Sequence, residues 1–288
     1  MNMDFGILTL ATPSDYKKAI GLALSAKVSN PGVPLAVACS PKLAAILKPH
    51  FDFVVAEDPS LRGFVHKVHL DKYSPFENTF FFDSDVLLFR DLKPIAMKWA
   101  NQPYTACGKF MREGHSAFGL NRARVLQKIG AKELVVIDGA GHAYFRKPEC
   151  VAVFDLARDI TNRHQEYCGD IKYADEDVMD IAMTMLRLNP EPEGDFFSRY
   201  ASGRSGTISM DATQGACTFV GTKTGEVTAP HMMHFAANEA AFQYAWQLHR
   251  LFKAADLKSS GLLKDAVNDY YTRNVAWPLK ARIKRLLA

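Results

Sequence analysis

The sequence predicts an α/β fold, a mixed sheet covered by helices, and three observations carry that prediction. Short apolar runs alternate with helix-like ones along the first ninety residues, the pattern of strands joined by crossover helices. The run Thr79-Phe80-Phe81-Phe82-Asp83-Ser84-Asp85-Val86-Leu87-Leu88-Phe89 is apolar on both sides of two carboxylates. It reads as a buried strand that delivers acids to a site. The 288 residues, 48% hydrophobic and 23% charged, can bury a substantial core.

Strands are expected at residues 5–11, 35–39, 52–56, 79–82 and 86–89, because each is a continuous apolar run of strand length. Between them, Ser14–Val28, Pro41–Leu47 and Ser60–Lys72 read as helices. In such sheets ligands bind beyond the carboxyl ends of the strands, where Thr12, Asp83 and Asp85 fall. Val135 to Phe145 gives two more apolar strands around a glycine-rich turn at Gly139 and Gly141. A helix from Pro148 to about Arg163 places Val151, Phe154 and Ala157 on one face. Another, Ala174–Leu186, opens with Asp175-Glu176-Asp177, acids that favour a helix N-terminus. Residues 189–228, rich in Gly, Ser, Pro and Thr, read as loops and short strands, a lid or acceptor region. An aromatic-bearing helix over 236–256 and a short basic one over 278–287 follow. With no repeat and no low-complexity linker, residues 1–235 are expected to form one catalytic domain and 236–288 a helical extension.

The formal charge of +4 is too small to imply nucleic-acid binding, and no nucleic-acid-binding motif accompanies it. Five widely spaced cysteines form no CxxC pair, which fits a reducing compartment rather than a disulfide framework. The first residues lack the pattern of a signal peptide, and no run approaches the ~20 apolar residues of a membrane span. A cytoplasmic location is expected.

Two carboxylates one residue apart repel each other and lose hydration beside an apolar strand unless a cation or proton compensates them. A hard divalent metal is the simplest compensator, and it keeps coordination positions open for phosphate oxygens. Read alone, the DxD also fits a solvated turn, although the flanking apolar residues argue against one.

Several motifs, in order, resemble the glycogenin-like sugar transferases of glycosyltransferase family 8, which include bacterial lipopolysaccharide galactosyl- and glucosyltransferases. Thr9-Leu10-Ala11-Thr12 followed by Tyr16 looks like the strand and turn that hold the nucleotide base. Lys67 lies sixteen residues before Asp83, as the family's sugar-nucleotide lysine does. Phe81 to Leu87 matches the DxD strand, and Arg90-Asp91-Leu92 the RDL after it. Ala140-Gly141-His142-Ala143-Tyr144-Phe145, Asp175-Glu176-Asp177 and His234-Phe235-Ala236-Ala237 resemble the family's NSG-type strand, its DQD segment and its HFxG metal-histidine motif.

The resemblance implies a GT-A, Rossmann-like nucleotide-diphospho-sugar transferase fold and metal-dependent, retaining hexose transfer from a UDP-sugar to a glycan or lipid-linked acceptor. It implies Mn²⁺ or Mg²⁺ ligation by Asp85 and His234, with Asp83 bridging to the ribose and sharing the metal. An imidazole among oxygen ligands shifts preference toward Mn²⁺. Leu10, Ala11, Thr12, Tyr16, Lys67, Asp83, Ser84 and Gly141 would bind the nucleotide sugar. Lys67 would face the departing diphosphate, and Asp175 and Glu176 the anomeric carbon. The chain departs from the family at Ala237 (usually Gly), at Ala240 (usually Lys), at Asp138-Gly139-Ala140 and at Glu176, which stands where the family has Gln. Read without the motifs, Lys67 is a solvated lysine, Tyr16 a packing aromatic, and His234 a core or surface histidine or one that swaps its ligand role with His231, three residues away.

Two other readings use the same acids. A haloacid-dehalogenase-type phosphohydrolase also carries a strand ending in DxD, but near the start of its core and followed by small residues, whereas here 78 residues with their own strand-helix pattern precede Thr79. A non-catalytic nucleotide-sugar binder fits the departures at Ala237 and Ala240.

In residues 278–288, Leu279, Ile283, Leu286 and Leu287 share a helical face opposite Lys280, Arg282, Lys284 and Arg285, with Pro278 suited to the first turn and Trp277 to an interface. This segment fits either an in-plane anchor on anionic lipid or a helix docked on its own domain. Deletion of 278–288 followed by liposome sedimentation separates the two. An anchor loses lipid binding on deletion, whereas binding that persists contradicts it.

Overall fold

The strand that precedes the two carboxylates lies at the centre of the main sheet, and the surrounding elements explain why. The computed structural model describes residues 4–138, 141–194, 196–235, 241–259, 261–271, 275–276, 279–280 and 282–283. In chain order it begins with β1 (Gly6–Ala11), α1 (Tyr16–Ser29), β2 (Leu35–Cys39), α2 (Pro41–Leu47), β3 (Phe53–Ala56), a 3₁₀ segment (Gly63–His69) and α3 (Leu70–Tyr73). Next come β4 (Asn78–Phe82), β5 (Val86–Leu88), α4 (Lys93–Trp99), β6 (Tyr104–Thr105), β7 (Gly108–Met111), α5 (Arg122–Ile129), β8 (Leu134–Ile137) and β9 (His142–Arg146). Then follow α6 (Val151–Asn162), α7 (His164–Cys168), α8 (Asp175–Met185), β10 (Phe197–Arg199), β11 (Ser209–Asp211) and β12 (Ala216–Val220). The last are β13 (Val227–Thr228), β14 (Met232–His234), α9 (Ala241–Ala254) and α10 (Leu262–Tyr271). The chain forms two compact units, one of residues 1–16, 33–83 and 92–194, the other of 17–32, 84–91 and 195–288.

The first unit is built on a six-stranded sheet of order β3-β2-β1-β4-β9-β6. β1 to β4 run parallel, and β9 is antiparallel to both β4 and β6. The sheet is therefore mixed, as the sequence predicts. The three phenylalanines of β4, Phe80 to Phe82, are fully buried because the strand is covered on both faces. Phe81 joins Leu8, Phe145, Phe154, Val178 and Ile181 in the core. Phe80 meets Tyr144 at 5.2 Å, Phe5 at 5.4 Å and Trp99 at 5.9 Å between ring centroids. Burying three adjacent phenylalanines contributes on the order of 1.5–3 kcal/mol each, so the strand that leads into Asp83 is held far more firmly than a surface loop.

One expectation changes in detail, while the two strands expected around Gly139 are found as β8 and β9. The helix predicted over Ser60–Lys72 is instead the 3₁₀ segment followed by one α turn, because Gly63 takes a left-handed φ of +55°, which interrupts any helix started at Ser60. The apolar strands flanking Gly139 belong to different sheets: β8 pairs with β7, and β9 with β4 and β6. Gly139 and Ala140 lie outside the described residues.

In the second unit, β14 pairs antiparallel with β5 and parallel with β10, and β11-β12-β13 form an antiparallel sheet. The Ser25 hydroxyl accepts the Leu88 N–H at 3.1 Å, which fixes β5 to α1. The buried Gln247 accepts from Ala212 N–H and donates to the Met210 carbonyl, tying α9 to the turn before β12. The region 189–228 is short strands and turns, as expected.

In the first unit, α8 packs on β8 with a carboxyl in the contact: Asp180, 3% exposed, accepts the Ile137 N–H at 2.8 Å. Burial pushes its pKa well above the usual carboxylate range, against the help of that hydrogen bond. A folded pKa above the unfolded value means that stability falls as pH rises from the unfolded pKa, about 4, toward the folded one. Asp180→Asn, which keeps an acceptor for Ile137, should melt close to wild type near pH 4 and higher than wild type at pH 7. Parallel melting temperatures across that range would contradict a buried acid.

Candidate functional site

The site in the first unit starts from backbone register. β4 ends at Phe82, opposite His142 of β9, and the next N–H, that of Asp83, donates to the Gly141 carbonyl at 2.9 Å. Gly141, expected at the nucleotide sugar, thus fixes the first acid through its main chain. Thr12, just beyond the parallel β1, accepts the N–H groups of Asp15 and Tyr16 through its carbonyl, and its hydroxyl bonds that of Ser14 at 2.8 Å. It closes the turn that Leu10 and the buried Ala11 lead into. Tyr16 is half-buried at the start of α1.

Lys67 reaches this end of the sheet from the last turn of the 3₁₀ segment. Its ammonium contacts Asp83 Oδ1 at 2.8 Å and Asp175 Oδ2 at 3.4 Å. The lysine and Asp175 side chains are only 11% and 7% exposed, so this is not the solvated lysine of the plainer reading. The ring faces of Phe64 and Phe81 lie 5.5 Å and 5.8 Å from the same nitrogen. Burial disfavours the charged lysine, but Asp83 and Asp175 outweigh it and hold the pKa above the ordinary lysine range. Burial raises the Asp175 pKa, and Lys67 opposes that rise. One cation between two carboxylates leaves the cluster formally one negative charge in excess.

α8 presents its opening acids unequally. Asp175 is turned into the lysine cluster, and the buried Asp177 accepts from the Ser116 hydroxyl at 3.0 Å. Glu176 is half-buried between them. The helix-dipole account of this triplet is therefore incomplete, since two of the three carboxylates have specific partners.

The chain re-enters the second unit at Ser84, whose carbonyl accepts the Tyr244 hydroxyl at 3.2 Å. The antiparallel register of β5 and β14 sets His234 opposite Val86, one residue from Asp85. His234 Nε2 lies 3.1 Å from Asp85 Oδ1, and the Phe235 N–H donates to the Asp85 carbonyl at 3.0 Å. His231 has other work: its Nδ1 bonds the Asp91 carbonyl at 2.7 Å and its own carbonyl receives the Phe89 N–H. Register thus sets His234, rather than His231, beside Asp85. Ala236, Ala237 and Ala240 lie outside the described residues, as do Trp277, Pro278, Lys284, Arg285, Leu286 and Leu287 of the tail.

Sequence reasoning named Lys67, Asp83 and Asp175 separately but not their contact. It also missed Tyr244, which only an aromatic one helical turn into α9 could have signalled.

No family model matches the chain, and no curated protein matches it in sequence. Solved structures do. A galactosyltransferase, LgtC, in complex with donor and acceptor sugar analogues superposes with a TM-score of 0.55 at 15% identity, over 88% of this chain and 96% of that one. An active-site mutant of LgtC gives 0.55 at 16% identity over 87% and 95%. The bifunctional glycosyltransferase WbbM gives 0.55 at 11% identity over 88% of this chain and 52% of that one. This chain has the GT-A fold of these glycosyltransferases.

Proposed function

We propose that the chain is a metal-dependent, retaining hexosyltransferase that uses a UDP-sugar donor and a glycan or lipid-linked acceptor. The observation that carries this reading is the buried Lys67 ammonium clasped by Asp83 and Asp175 at the carboxyl end of β4. The likeness in fold to a galactosyltransferase with donor and acceptor analogues supports it. The phosphohydrolase reading loses its footing, because the DxD follows the fourth strand of the chain rather than the first.

The donor set fits a divalent cation. Asp83, Asp85 and His234 offer two carboxylates and an imidazole, a mixture that Mn²⁺ accepts more readily than Mg²⁺. A bound metal would supply Lewis-acid neutralisation of the diphosphate. Lys67 is the chain's own contribution to the same task. Its ammonium is paired with Asp83 and Asp175, so a diphosphate would meet a cation already oriented and largely desolvated. Charge that develops on the departing phosphate is stabilised more than the ground state, which is the condition for catalysis.

On the sugar side, a carboxylate near the anomeric carbon stabilises positive charge there or attacks it. Asp175 and Glu176 are the carboxylates for that role. In the covalent route a Glu176 oxygen bonds the anomeric carbon as the bond to the diphosphate breaks. The acceptor hydroxyl then displaces Glu176, which leaves as its carboxylate, and passes its proton to an oxygen of the departed diphosphate, so configuration is retained.

Among the described residues no helix is long and apolar enough to cross a membrane. Peripheral attachment on the cytoplasmic face through 278–288 is part of this proposal. Leu279 and Ile283 support it: they are four residues apart and 57% and 45% exposed.

Incubation with a panel of UDP-hexoses is expected to release UDP in a Mn²⁺-dependent manner that EDTA abolishes, and Lys67→Met is expected to lower turnover by about 10²–10³. Failure of every UDP-hexose with every divalent metal would contradict the reading. Glu176→Gln should abolish a glycosyl adduct detectable by mass spectrometry, and unaltered turnover in that variant would remove the covalent route.

A further inference from the structure

Lys67 belongs to a segment with weak internal support. A 3₁₀ helix has poorer hydrogen-bond geometry than an α-helix. This one starts from Gly63 in the left-handed region, and no side chain caps its N-terminus. Lys67 also cannot be fixed solely by its own ion pairs if those carboxylates are to share it with a phosphate. Something else must hold its backbone.

Arg158 on α6 meets that need. One guanidinium nitrogen, Nη1, donates to the Val68 carbonyl at 2.9 Å and to Asp71 Oδ1 at 2.8 Å. Nη2 donates to Asp71 Oδ2 at 3.2 Å and to Asp155 Oδ1 at 2.6 Å. The Arg158 and Asp71 side chains are 14% and 6% exposed, so the fork is shielded from water and its geometry is enforced. Val68 is the residue after Lys67 and is itself fully buried. The Arg158 fork therefore grips the chain on the C-terminal side of Lys67, at the join between the 3₁₀ segment and α3, from an independent helix.

We infer that Arg158 is a positioning residue for Lys67: its contact with the Val68 carbonyl sets where the Lys67 ammonium points toward the donor diphosphate. This rests on the reading of Lys67 given above. The opposing account is that Arg158 only glues α6 to α3 through Asp71. The two separate because a planar fork can satisfy a carbonyl and two carboxylates at once, whereas a lysine in its place is a single point donor on a flexible stem.

The test uses the full chain with Arg158→Lys, Lys67→Met and the double variant, scored by Mn²⁺-dependent UDP release from whichever UDP-hexose is the best donor, and by amide hydrogen exchange. Arg158→Lys is expected to lower kcat by about ten- to a hundredfold, as small misplacements do, while its melting temperature stays near that of wild type. In the Lys67→Met background the same substitution should have little further effect, because coupled residues are non-additive. Exchange should rise at Val68 and His69 but not in β4 or α8. Additive losses in the double variant, or unchanged exchange at Val68 and His69, would overturn the proposal. If wild type releases no UDP, the donor reading has failed, and the exchange arm still decides whether Arg158 holds the Lys67 segment.

Discussion

The interaction on which the rest depends is the ammonium of Lys67 held between the carboxylates of Asp83 and Asp175. A buried cation is costly unless it is paired and hydrogen-bonded, and each member of this cluster is supplied by a different element. Asp83 comes from the end of a strand covered on both faces, Asp175 from the first turn of α8, and Lys67 from a 3₁₀ segment. The sheet order brings these ends together. Parallel β1 and β4 place their carboxyl ends on one edge of the sheet, and antiparallel β9 enters there, so that the Gly141 carbonyl can take the Asp83 N–H. Each apolar run thereby acquires a role in holding a polar one.

Two carboxylates and a lysine leave the first unit's cluster formally one negative charge in excess. Register distinguishes the histidines: β14 against β5 sets His234 next to Asp85, while His231 is spent on the main chain at Asp91.

Much of this was legible in the sequence. Three consecutive phenylalanines followed by DxD can be satisfied only by a strand buried on both faces, and that constraint alone located β4 and the acids. The extents of β2 and α2 were likewise read directly from their apolar runs. The 3₁₀ turn at Lys67 was not, because it follows from the left-handed φ of Gly63, and glycine in a helical pattern does not announce its φ. Partner choice was the other gap. The Lys67 to Asp175 contact spans more than a hundred residues, and Arg158 reaches Val68 across 90 and Asp71 across 87. Periodicity identifies faces; it does not pair distant side chains.

The central claim is that these residues receive a metal-bound nucleoside diphosphate. Calorimetric titration of UDP into the protein with and without Mn²⁺, for wild type and for Asp85→Ala, tests it most directly. Binding that requires Mn²⁺ and disappears in Asp85→Ala is the predicted result. Absence of UDP binding under every metal condition, or binding indifferent both to Mn²⁺ and to Asp85, would contradict the account.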